Sequence, residues 1–128
     1  MNPIRVLIVD DHPVVRQGVR SLLLNHPDIQ VVGEAESAAT LFAALNGDPP
    51  DVILLDVRMP GQNGIEVTQR LKRERSHIKV IILTTYEDDE ILFGALRAGA
   101  DGYLLKSASP EVLAASIRSV ANGERLMS

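Results

Sequence analysis

Short, wholly apolar runs separated by amphipathic stretches constrain this chain more than any other feature of its sequence. Val6-Leu7-Ile8-Val9, Val52-Ile53-Leu54-Leu55 and Val80-Ile81-Ile82-Leu83 lack the alternation of a strand with one wet face. Such runs predict strands covered on both faces, as in a parallel sheet between two helix layers. Gln30-Val31-Val32-Gly33-Glu34 and Tyr103-Leu104-Leu105 are shorter or more interrupted, which suits the edges of that sheet. Between the runs, apolar residues fall on one face of a 3.6-residue period. Ala38, Leu41, Phe42 and Leu45 do so, as do Val15, Val19, Leu22 and Leu23. Leu92, Ala95 and Leu96, and then Leu113, Ile117 and Val120, repeat the pattern. Gly64 to Glu74 is a weaker helix candidate because its apolar residues are few. Pro13 and Pro110 suit first turns, Ser109 suits an N-cap, and Gly99 suits the left-handed residue that ends a helix. Strict alternation of strand and helix predicts a doubly wound α/β fold with right-handed crossovers.

The 128 residues are enough for one domain with a substantial core. There is no cysteine, which removes disulfide and thiolate chemistry. No apolar run approaches the ~20 residues needed to span a bilayer. The start, Met1-Asn2-Pro3-Ile4-Arg5, lacks the pattern of a signal peptide, so a cytoplasmic location is the expectation. A net charge of −4 argues against a domain built to grip nucleic-acid phosphates. The local basic run Arg70-Leu71-Lys72-Arg73 reads as a solvated helix face.

In doubly wound folds, ligands sit at the carboxyl ends of the strands. Asp10 and Asp11 follow the first apolar run and Asp56 the third. Thr84 and Thr85 end the fourth, and Lys106 ends the fifth. Carboxylates gathered at one edge repel unless a cation offsets them, and magnesium is a hard ion that takes oxygen ligands. Lys106 supplies a fixed positive charge, Thr84 a hydroxyl, and Asp56 a nucleophile able to form an aspartyl phosphate. Each residue alone has a plainer reading: Asp11, shortly before Pro13, also suits a helix cap. Their joint placement favours phosphoryl chemistry.

Val9-Asp10-Asp11-His12, Leu55-Asp56-Val57-Arg58-Met59-Pro60-Gly61, Leu83-Thr84-Thr85 and Gly102-Tyr103-Leu104-Leu105-Lys106 resemble the receiver domain of two-component response regulators. The resemblance spans essentially the whole chain. It implies a (βα)5 flavodoxin-like sandwich with a five-stranded parallel sheet of order 2-1-3-4-5. It implies phosphorylation of Asp56 and magnesium held by Asp10, Asp11, Asp56 and the Arg58 carbonyl. Thr84 and Lys106 would contact the phosphoryl group, and Thr84 with Tyr103 would form the switch. Arg58 and Tyr86 would flank the path of a hydrolytic water and set the lifetime of the phosphoryl group. The implied partner is a sensor histidine kinase, with homodimerisation on phosphorylation; the domain would be a signalling switch, not an enzyme with turnover.

Thr84-Thr85-Tyr86-Glu87-Asp88-Asp89-Glu90, Leu96 to Lys106 and Asn122 to Ser128 look most like the NarL/FixJ (LuxR-like) class of transcriptional regulators. That likeness implies a receiver over 1–122 and the start of a linker at 123–128, leading to a helix-turn-helix DNA-binding domain beyond this chain. A stand-alone receiver is the alternative. One departure is Ser107, where many receivers have proline in a cis bond after the lysine; a cis Lys106–Ser107 bond would cost about 3 kcal/mol, so the isomer is left open. A haloacid-dehalogenase-type phosphatase usually has a second aspartate two residues after its nucleophile, where this chain has Arg58. A flavodoxin needs a phosphate-cradling loop where this chain has Asp10-Asp11-His12, and no P-loop string occurs.

Overall fold

In the computed structural model, which describes residues 2–126 apart from 60, 62 and 86, strands and helices alternate throughout. They are β1 (Ile4–Val9), α1 (Pro13–Leu23), β2 (Ile29–Ala35), α2 (Ala38–Ala44), β3 (Val52–Asp56), α3 (Gly64–Glu74), β4 (Lys79–Thr84), α4 (Asp89–Ala98), β5 (Gly102–Leu105) and α5 (Pro110–Ala121). The strands form one parallel sheet of order β2-β1-β3-β4-β5. The two interrupted runs are its edges, as expected.

The continuous apolar runs arise because alternate residues serve opposite layers. Leu7, Val9, Ile53, Leu55, Val80 and Ile82 pack with Leu41 of α2 and Leu45 just after it, Val67 and Leu71 of α3, and Ala95 of α4. Val6, Ile8, Val52, Leu54, Ile81 and Leu83 pack with Leu23 of α1 and with Leu113, Ala114, Ile117 and Val120 of α5. Burying a Val, Leu or Ile side chain contributes roughly 1.5–3 kcal/mol, so a slip of one residue in any central strand would be resisted on both faces.

Helix ends follow the local sequence. Pro13 and Pro110 sit in first turns, Ser109 Oγ accepts from Val112 N–H, and Gly99 closes α4 at φ 90°. Ser37 and Thr40 form a reciprocal cap on α2. The N-cap of α1 is His12 and makes no side-chain cap bond, so Asp11 does not cap that helix. The weak third candidate is a full helix, Gly64–Glu74, capped by Asn63 and buried through Val67, Thr68 and Leu71. Its basic run is not simply solvated. Arg70 lies 3.7 Å over the Phe42 ring and pairs with Glu74, while Lys72 pairs with Asp101 at 2.6 Å. Asp101 also accepts from Val80 N–H, so this pair fastens α3 to the sheet. The Lys106–Ser107 bond is trans.

Two edge features depart from regular pairing. In β2 the register moves by one between Val6↔Val31 and Leu7↔Gly33, leaving Val32 as a bulge. After α5, Gly123 turns the chain at φ 93°, and Leu126 N–H donates to the Asp101 carbonyl beside β5. No described helix is long and apolar enough to cross a membrane.

Candidate functional site

The sheet brings its polar residues together at the carboxyl ends of β1, β3, β4 and β5. Asp10 follows β1, Asp56 ends β3, Thr84 ends β4, and Lys106 follows β5. Asp10, Asp56 and Thr84 are buried. One ligand atom from each of Asp10, Asp11, His12 and Asp56 lies within 4.8 Å of the others. Lys106 Nζ is 2.9 Å from Asp10 Oδ2 and 3.4 Å from Asp56 Oδ1. Asp56 Oδ1 also accepts weakly from Arg58 N–H, at 3.3 Å. A cavity of about 100 Å³ opens above, lined by His12, Asp56, Arg58, Thr84 and Lys106 among others.

These charges are poorly balanced. Burial pushes the Asp56 carboxyl above its ordinary range, and the neighbouring Asp10 charge adds to that; Lys106 opposes both. For Lys106, burial favours the neutral amine, but the hydrogen bond to Asp10 and the charges of Asp56 and Asp10 prevail and raise its pKa. One ammonium thus serves a cluster of three carboxylates. Asp11 Oδ1 is buried and accepts no hydrogen bond, although His12 Nδ1 stands 3.0 Å from it. An acceptor-only oxygen without a donor, beside two further carboxylates, fits a hard divalent cation.

The expected site residues do not all have the same standing. Asp10, Asp11, Asp56, Thr84 and Lys106 come together at one edge. The Arg58 side chain is exposed but lines the cavity. Tyr86 lies outside the described residues. Tyr103 stands apart, in a groove of about 530 Å³ formed with Asp88, Leu92, Leu105 and Leu126 among others. Its hydroxyl is buried without a hydrogen-bond partner, and burial raises the phenol's pKa. The Asp88 backbone N–H stands near enough to lower that pKa in part, but not in hydrogen-bonding geometry.

Two residues were harder to anticipate. His12 was visible only as a neighbour of the acidic pair, yet its backbone N–H and Nδ1 both reach Asp10 Oδ1, at 2.9 and 3.1 Å. Gly64 opens α3, where glycine is a poor helix former. A Cβ there would lie 2.6 Å from the Asp56 carbonyl oxygen and 2.7 Å from Val57 Cα. The helix therefore approaches the Asp56 loop as closely as it does only because that position has no side chain.

Comparison with known proteins places the chain in a family. Residues 6–118 match the response regulator receiver domain family. The nitrate/nitrite response regulator protein NarP of Escherichia coli K12 is 44% identical over 126 residues, covering 98% of this chain and 59% of that protein. The transcriptional regulatory protein LiaR of Bacillus subtilis is 42% identical over 121 residues, covering 94% of this chain and 57% of the relative. The chain thus spans less than two thirds of these curated relatives. A LuxR-family two-component response regulator from Aurantimonas sp. SI85-9A1 superposes with a TM-score of 0.92 at 34% identity, covering 99% of this chain and 91% of that one. The receiver domain of Salmonella enterica RcsB, solved with the phosphomimetic BeF3−, has a TM-score of 0.89 at 30% identity, covering 98% and 93%.

The crowding of carboxylates has a direct consequence for stability. The fold disfavours the ionised form of Asp56, so a neutral amide of the same shape removes a cost. In metal-free buffer at pH 8, Asp56→Asn is expected to raise the Tm by about 2–5 °C. An unchanged or lower Tm in thermal melts would mean that Lys106 already offsets the repulsion.

Proposed function

The chain belongs to the response regulator receiver domain family, and on that premise we propose that it is a phosphorylation-activated switch whose phosphoacceptor is Asp56. The observation that carries this reading is the Asp56 carboxylate, buried at the end of β3 between Asp10 and Lys106. A carboxylate oxygen of Asp56 attacks the phosphorus of a phosphohistidine on a sensor kinase. The phosphorus–nitrogen bond breaks, its electron pair stays with the histidine, and the acyl phosphate remains on Asp56. Asp10, Asp11, Asp56 and the Arg58 carbonyl would hold magnesium. When bound, that ion offsets the charge of the carboxylates and of the phosphoryl oxygens. Lys106 already lies within reach of both Asp10 and Asp56, and needs only a small movement to pair with a phosphoryl oxygen.

The output follows from position. Thr84 is buried beside Asp56 in the same cavity, and its carbonyl accepts from Lys106 N–H at 2.7 Å. Donation from the Thr84 hydroxyl to a phosphoryl oxygen would draw that side chain toward Asp56. Tyr103, with an unpaired hydroxyl in the groove by α4, would turn into the space released. Closely packed cores favour discrete alternatives, so a small shift can change the surface of α4 and β5. That face, or the one made by α1 and α5, would support homodimerisation. In a longer regulator of the NarL/FixJ class, residues 1–122 would act as the receiver. Residues 123–128 would begin a linker to a DNA-binding helix-turn-helix domain, and the protein would work in the cytoplasm.

Acetyl phosphate with magnesium is expected to add one phosphoryl mass to the wild-type chain and none to Asp56→Asn, read by intact-mass spectrometry. Full labelling of the variant, or labelling that survives EDTA, would refute the assignment of acceptor and metal.

Beryllofluoride is expected to shift the NMR resonances of Tyr103 and of α4 in the wild type but not in Thr84→Ala. Identical spectra before and after addition would sink the switch.

Arg58 lines the approach to Asp56 and offers no carboxamide or carboxylate to hold a hydrolytic water. Slow dephosphorylation is therefore expected, and Arg58→Asn should speed it by about tenfold, equivalent to ~1.4 kcal/mol off the barrier. Tyr86→Glu is expected to act in the same direction. Loss of phosphoprotein over time at fixed magnesium measures this; decay in the double variant no faster than wild type would show that these positions do not gate the water.

A further inference from the structure

Among the proposed cation ligands, Asp11 has the least support of its own. Asp10 is fixed through its side chain by Lys106 and His12, and Asp56 is buried. Asp11 Oδ1 accepts no hydrogen bond, and the ring nitrogen near it, His12 Nδ1 at 3.0 Å, belongs to an exposed side chain and is shared with Asp10. The direction of its carboxylate must therefore come largely from the backbone that carries it. That backbone is held on both sides of Asp10. The Asp10 N–H donates to the Ala35 carbonyl at 3.0 Å, and the Asp10 carbonyl accepts from Arg16 Nη1 at 2.5 Å. The second bond fixes the plane of the Asp10–Asp11 peptide.

Arg16 is itself held. Its Nε donates to Glu34 Oε1 at 2.9 Å, and Arg20 occupies the other Glu34 oxygen, with Nη2 at 2.8 Å. These two arginines keep the Glu34 carboxyl below its ordinary range, the Arg20 hydrogen bond contributing most and opposing the effect of burial. Glu34 reaches α1 because of the bulge in β2. With Val32 as the extra residue, Glu34 pairs with Ile8, which belongs to the layer covered by α1 and α5. Regular pairing would have turned Glu34 to the opposite layer. The bulge, the carboxylate and the guanidinium form one chain of contacts that ends on the acidic pair.

We infer that Arg16 is a positioning residue for the cation site: by clamping the Asp10 carbonyl against Glu34, it sets the direction in which Asp11 presents its carboxylate. This rests on the reading of Asp10 and Asp11 as cation ligands. Charge and geometry make opposite forecasts for its removal. A guanidinium near a dication site repels the ion, so its loss on electrostatic grounds alone would tighten binding. Loss of the clamp loosens a ligand and weakens binding.

The test is magnesium binding by isothermal titration calorimetry to the wild-type chain and to Arg16→Ala and Arg16→Gln, with metal-free melts to establish that each variant folds. The glutamine variant keeps most of the aliphatic stem and carries the comparison if the alanine variant does not fold. The magnesium Kd is expected to rise by roughly tenfold in either variant, the scale seen when a residue supporting a metal ligand is removed. At saturating magnesium, phosphorylation by acetyl phosphate should return to within about threefold of wild type, because the defect lies in ion affinity. Arg20→Ala, which leaves the Arg16–Asp10 bond in place, should change the Kd by less than about twofold. A Kd that is unchanged or tighter in both Arg16 variants overturns the inference, as does a rate that saturating magnesium fails to restore. A wild-type chain that binds no magnesium would overturn the cation site itself and this inference with it.

Discussion

Repulsion among buried carboxylates is the constraint around which this domain is arranged. Asp10 and Asp56 would each be better solvated elsewhere, and one ammonium, Lys106, stands between them. The arrangement persists because each charge sits at the end of a strand that cannot move. β1 and β3 are paired side by side and buried on both faces, so separating Asp10 from Asp56 would mean sliding one strand past the other. That motion would remove many buried side chains from their layers at once, at roughly 1.5–3 kcal/mol each. Core packing holds the carboxylates together, and their unfavourable proximity leaves the site ready for a cation and a phosphoryl group.

Several buried polar residues away from the site have partners, although Arg5 Nε does not. Asp101 is buried, but Lys72 and the Val80 N–H occupy its carboxylate. Thr68 is buried, but its hydroxyl donates to the Gly64 carbonyl at 2.8 Å. Two further unmet polar atoms are Asp11 Oδ1 and the Tyr103 hydroxyl, one in the acidic cluster and one in the groove by α4. A buried donor or acceptor without a partner costs about 1–3 kcal/mol, so both positions would gain from a change that supplied one. Thr84, which lines the cavity above Asp56, and Tyr103 lie on adjacent strands, β4 and β5.

How much of this was legible in the sequence depended on the range of the interaction. Strand and helix positions were legible because a sheet covered on both faces demands continuous apolar runs. Pro13, Gly99, Ser109 and Pro110 act within a few residues of themselves, and their roles were readable from type and place. The acidic cluster was legible because doubly wound folds bring strand ends together, so position along each strand stood in for position in space. Asp11 as a possible cap was undecided, since a cap and a ligand occupy the same place before a helix; the structure puts His12 at the cap. In the basic run of α3, Arg73 is exposed as expected, whereas the partners of Arg70 and Lys72, Phe42 and Asp101, come from distant parts of the chain that local sequence does not bring together. Gly64 reveals its purpose only when the distance to the Asp56 carbonyl is known.

The β2 bulge is the clearest case of information that periodicity does not carry. In Gln30-Val31-Val32-Gly33-Glu34 the expected alternation is broken, and taken alone the segment reads merely as a weak edge strand. An edge strand can absorb an extra residue because only one neighbour constrains its register. A Cβ at Gly33 would lie 3.0 Å from Leu7 Cδ1, a tight contact that a small shift of the leucine would relieve. The irregularity then turns Glu34 toward α1, where two arginines hold it, Arg16 at Nε and Arg20 at Nη2. A central strand could not accept such a defect without disturbing both layers. The edge of the sheet is thus where this fold has freedom to connect a helix face to the loop that carries Asp10 and Asp11.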